Sequence, residues 1–68
     1  MNVYIIGTLN GVEKLRQPWP SGEADAAKHI DQKSTEFQAA GHVACWADGR
    51  WIIGRGDEVI TLRVEVQS

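Results

Sequence analysis

The chain holds a single cysteine, two prolines and no apolar run approaching the ~20 residues of a membrane span. With only Cys45 present no internal disulfide can form, which excludes a disulfide-stapled secreted scaffold. The opening residues Met1-Asn2-Val3-Tyr4-Ile5-Ile6-Gly7 lack the basic n-region and long apolar stretch of a signal peptide, so a cytoplasmic location is expected. An excess of basic charge is also missing. Seven Lys and Arg stand against nine Asp and Glu, and the basic residues are scattered rather than gathered into a stripe. That argues against a nucleic-acid partner, and a net charge of −2 is too small for an acidic mimic of DNA.

Chemistry-bearing motifs are scarce as well. His29 and His42 have no histidine or cysteine at metal-ligand spacing. Asp25 lies four residues before His29, a spacing that usually marks a solvated helix face. His42 and Cys45 are a nucleophile-and-base pair by type, yet three positions apart on a strand they point to opposite faces. Gly54-Arg55-Gly56 opens no helix and so makes no phosphate cradle. Arg55-Gly56-Asp57 matches an integrin-recognition tripeptide but reads better as a turn. No cofactor, metal or catalytic residue is expected, and the chain does not read as an enzyme.

What is present is a pattern of turns. Trp46-Ala47-Asp48-Gly49-Arg50-Trp51 sets Asp-Gly between apolar runs, a strong type I′ hairpin signal that places Trp46 opposite Trp51 in a non-hydrogen-bonded pair. Asn10-Gly11 is the other favoured pair; it predicts that residues 13–17 return beside Val3–Ile6 with Leu15 facing Ile6, although a helical turn starting at Asn10 competes. Charges around Leu15 mark an edge strand. Pro18-Trp19-Pro20-Ser21-Gly22 is a rigid connector with Ser21 as the expected N-cap of a helix running to about Ala40, and Gly41 follows as its left-handed stop. Ala27, Ile30, Ser34 and Phe37 share the apolar stripe of that helix, with Asp25, Lys28, His29, Gln32, Lys33 and Glu36 opposite. From His42 the chain reads as a meander, ending in a strand over 58–67 whose Ile60, Leu62, Val64 and Val66 point one way. The expectation is one α+β domain over residues 1–68: a small antiparallel sheet of four to five strands (hairpin, helix, three-stranded meander) with one helix on one face.

The length of the turn after Ile53 decides where the indoles go, because a one-residue slip exchanges the two faces of a strand. A two- or four-residue loop pairs Ile53 with Glu58 and Trp51 with Ile60, and both tryptophans then join the core face. A three-residue loop turns Trp46 and Trp51 outward beside Arg63, with Arg50 nearby. The need for bulk in a small core favours the even loop. The residues singled out for partner binding are Trp46, Trp51, Arg50, Arg63, Arg55, Asp57 and Trp19; a lid over the core edge is the favoured reading of Trp19.

The functional expectation is a non-enzymatic module that binds another protein or complex, such as an inhibitor or accessory protein of a phage or mobile element (anti-CRISPR or anti-restriction type). A homo-oligomer is compatible with so small a core. A short strand, a helix and a long tryptophan-bearing hairpin resemble the layout of dodecins, which implies a small-ligand-binding homo-oligomer in which tryptophan stacks on flavin. The Asp48-Gly49 turn departs from that layout by interrupting the long strand. A structural accessory subunit offering an edge strand is the third reading.

Overall fold

The computed structural model describes residues 2–68. Strands β1 (Asn2–Leu9) and β2 (Val12–Pro18) precede helix α1 (Glu23–Ala39), and β3 (Val43–Ala47), β4 (Arg50–Arg55) and β5 (Glu58–Gln67) follow it. The five strands form one sheet in the order β2-β1-β5-β4-β3, every pairing antiparallel, with α1 packed across one face. The small α+β architecture is the expected one. Strand order is new information: β1 and β5 lie side by side at the centre, leaving β2 and β3 as the edges.

The first run, Val3–Ile6, is apolar on both sides because it becomes a central strand. Ile5 (2% exposed) enters the core under the helix, while Ile6 (0%) is buried on the opposite face. The core under α1 consists of Ile5, Ala26, Ile30, Ile53 and Leu62, with Val3, Trp19, Phe37, Ala44, Trp51, Ile60 and Val64 packed around it.

Both dipeptide turns form as expected, with positive φ at Asn10 and Gly11 and at Asp48 and Gly49. Asn10 is also tied to β5. Its N–H donates to the Val59 carbonyl and its Oδ1 accepts from the Val59 N–H, both at 2.8 Å.

Leu15 does not face Ile6. A β-bulge between Gly7 and Thr8 leaves Lys14 as the extra residue, so Leu15 lies opposite Gly7 and Arg16 opposite Ile6. Gly7 makes the approach possible, since a Cβ there would sit 3.2 Å from the Leu15 Cβ. The shift sends Leu15 to the helix face and gives the other face a charged residue.

The helix differs at its start. Ser21 is not the N-cap; Gly22 is, with φ 103° and ψ 171° and no side-chain cap. That conformation is essentially reserved for glycine, so the backbone geometry of the connector displaces the cap by one residue. The other end closes as expected. Gly41 has φ 97°, its N–H donates to Gln38, and the His42 N–H donates to Phe37, both at 3.0 Å, which is a Schellman motif. With no cation in the last turn of α1, Arg55 of β4 donates to the Ala40 carbonyl at 3.4 Å.

The turn between β4 and β5 is the two-residue Gly56-Asp57, because Arg55 pairs with Glu58. The even parity holds, so both indoles lie on the helix side. The register is two residues from the expected one: Ile53 faces Ile60 and Trp51 faces Leu62, since Gly54 and Arg55 stay in the strand rather than in the loop.

Candidate functional site

The seven residues expected to bind a partner are dispersed over the molecule. Trp51 is half-buried against the core, and its Nε1 donates to Asp31 Oδ1 at 2.8 Å. Trp46, directly opposite on the edge strand, meets it edge to face at 5.7 Å and is 53% exposed. Trp19 is a lid. It packs on the core edge and on the His29 ring at 4.5 Å, and its Nε1 donates to Asp25 at 2.8 Å. His29 is thus half-buried beneath an indole, although the helical wheel assigns it to the solvated side. Two helix carboxylates, Asp25 and Asp31, each receive an indole N–H. The wheel gives no sign of this, because both partners come from other elements.

Arg50 and Arg63 do not accompany the indoles. By strand alternation they project from the opposite face, which the helix leaves open. Arg55 is the last residue of β4, held by the Ala40 carbonyl, and Asp57 lies in the β4–β5 turn. The joint surface of Trp46, Trp51, Arg50 and Arg63 is therefore not formed.

The open face divides into two halves. Over β2, β1 and β5 it carries an ion-pair network centred on Glu65. This carboxylate accepts from Arg16 Nη1 (2.8 Å), Arg63 Nη1 (2.9 Å) and Gln67 Nε2 (2.7 Å). Hydrogen bonding to Arg63, then to Arg16 and Gln67, lowers its pKa from 4.5 to about 2. Arg16 also grips Glu13 through Nε (3.0 Å) and Nη2 (2.9 Å), which holds the Glu13 carboxyl below its usual value, and its guanidinium lies 5.8 Å from the Tyr4 ring centre. Ile6 sits between Arg16 and Arg63 in the ladder, and long arginine stems suit the covering of such a residue. Thr8 and Thr61 join hydroxyls across β1 and β5.

Over β3 and β4 the same face is apolar. One row across the strands runs Val43–Gly54–Val59 and the next Cys45–Ile52–Thr61. Val43 is 77% exposed and Val59 43%, Cys45 is exposed, and Gly54 leaves a gap between the two valines. An antiparallel sheet with one wet face normally turns polar residues outward; here half of that face does the reverse. A three-residue loop would have put Val43, Cys45 and Ile52 in the core; the even loop that forms turns them outward.

Among the described residues no three His, Cys, Asp or Glu side chains converge as a metal site would require, and no helix is long and apolar enough to cross a membrane. Buried Ser34 donates to the Asp31 carbonyl at 2.7 Å, leaving no buried side-chain polar atom unpartnered among those residues. The chain matches no protein-family model, no curated protein and no solved structure.

Proposed function

We propose that this protein is a non-enzymatic protein-binding module whose contact surface is the apolar half of the open sheet face. The observation that carries the reading is the outward row Val43–Gly54–Val59 beside Cys45 and Ile52, uncovered while the helix occupies the other face. Contiguous exposed apolar surface of this kind, rimmed by polar groups, marks interaction sites. The rim is supplied by the Arg16–Glu65–Arg63 network, which is already satisfied within the chain. It would therefore frame a partner rather than form new ion pairs with it. Within this class, an inhibitor or accessory protein acting on a larger host complex suits a domain of this size whose sequence carries no cofactor motif.

The test is an affinity capture from host lysate with wild type, Val59→Lys and Ile52→Lys as baits. Both positions lie outside the edge strand. A defined protein held by wild type and lost by either variant, at an unchanged melting temperature, supports the reading. Equal capture by all three baits would sink it.

A further inference from the structure

The two edges of the sheet are built differently. β2 carries the devices that keep an edge from pairing: Glu13, Lys14 and Arg16, a bulge, and a terminal proline. β3 carries none of them. Its sequence is Val-Ala-Cys-Trp-Ala, with no charge, no proline and a ladder to β4 without a register shift.

The hydrogen-bond parity of β3 follows from its turn. Ala47 and Arg50 flank the two-residue loop and exchange bonds, as do Cys45 with Ile52 and Val43 with Gly54. The N–H and C=O of Ala44 and Trp46 therefore point away from β4, and none of them is bonded elsewhere among the described residues. An uncharged edge with unpaired groups is a template for another strand.

We infer that β3 pairs with β3 of a second copy of this chain, antiparallel about a two-fold axis at Cys45. The register is fixed by the outward groups. Ala44 of each copy faces Trp46 of the other in hydrogen-bonded pairs, and Cys45 faces Cys45 in a non-hydrogen-bonded pair. The strand is self-complementary in this arrangement. On the helix side each exposed indole lies beside an alanine of the other copy, and on the open side Val43 lies beside Ala47. The ends complement each other too. His42 and Asp48 stand equally far from Cys45, so the axis brings the histidine end of one strand to the aspartate end of the other. An isologous contact needs this kind of match between a patch and itself, and an unrelated strand has no reason to provide it. The result is one continuous sheet, with the apolar halves of the two open faces meeting at its centre. This pairing uses the free edge of β3 and does not require the partner proposed for the open face.

The pairing is tested on the purified chain by sedimentation equilibrium and by copper–phenanthroline oxidation, which joins two thiols as a disulfide. A non-hydrogen-bonded pair has Cα atoms ~4.5 Å apart, within the ~4.4–6.8 Å a disulfide requires. The expected results are a mass twice the 7.5 kDa of the chain and rapid cross-linking through Cys45. Ala44→Pro removes an outward N–H without touching the β4 ladder and should weaken association at least about tenfold. Cys45→Lys, which sets like charges face to face, should give monomer with the wild-type circular dichroism spectrum. A monomeric wild type, or a dimer that survives both variants or fails to cross-link, overturns the inference.

Discussion

Trp51 Nε1 donates to Asp31 Oδ1 at 2.8 Å, joining the strand after the Asp-Gly turn to the middle of the helix. The bond fixes the indole that forms one wall of the core, and Trp46 packs its ring against that indole. Replacing Asp31 with Ala should lower stability by about 0.5–1.5 kcal/mol, the usual net worth of one hydrogen bond. Asp31→Asn keeps an acceptor oxygen and should lose less. Urea unfolding followed by tryptophan emission measures both, and a double-mutant cycle with Trp51→Phe isolates the coupling.

Acid should weaken the open face in a defined window. The folded pKa of Glu65 is depressed to about 2 from 4.5, so its stabilising contribution is complete above the unfolded value of 4.5. It is lost as pH falls from there towards about 2. Glu13, lowered by Arg16, reinforces the same trend. Urea midpoints measured across that range should fall less steeply for Glu65→Gln than for wild type, and added salt should reduce the difference between them.

The displaced helix cap separates two neighbouring substitutions. Gly22→Ala forces a Cβ into φ 103°, ψ 171° and should cost about 1–3 kcal/mol. Ser21→Ala removes no cap and should stay within about 0.5 kcal/mol of wild type. Thermal unfolding distinguishes them, and a large loss for Ser21→Ala would contradict the observed start of the helix.

Gly7→Ala should destabilise the first hairpin by about 1–3 kcal/mol, because its Cβ meets the Leu15 Cβ at 3.2 Å and one of the two strands must move. Leu15→Gly in the same background should recover part of the loss. Amide exchange at β2 reports whether the disturbance stays local.

The sequence showed clearly whatever is decided within a few residues. Asn10-Gly11, Asp48-Gly49 and Gly41 each announce a positive φ, and the alternation of residues 58–67 sets the inward face of β5. The even parity puts both indoles on the helix face, yet only Trp51 joins the core while Trp46 on the edge strand stays 53% exposed, and the loop is shorter than the glycines suggested. Features that need a distant partner stayed hidden. The bulge at Lys14 exists because Gly7 admits Leu15, and the indole bonds to Asp25 and Asp31 require the final placement of the helix. The apolar half of the open face was invisible for a related reason. A short mixed run such as Val43–Ala47 has no outward or inward side until its neighbours are known.

The central pairing of β1 with β5 has a kinetic meaning. The hairpin of β1 and β2 and the meander of β3 to β5 can each form from local contacts, but the core closes only when the first strand meets the last along its whole length, Asn2 with Gln67 through Leu9 with Ile60. That ladder demands the largest loop closure in the chain, and loop closure must come before its contacts reward it. The docking of β1 on β5 is thus the step expected to limit folding.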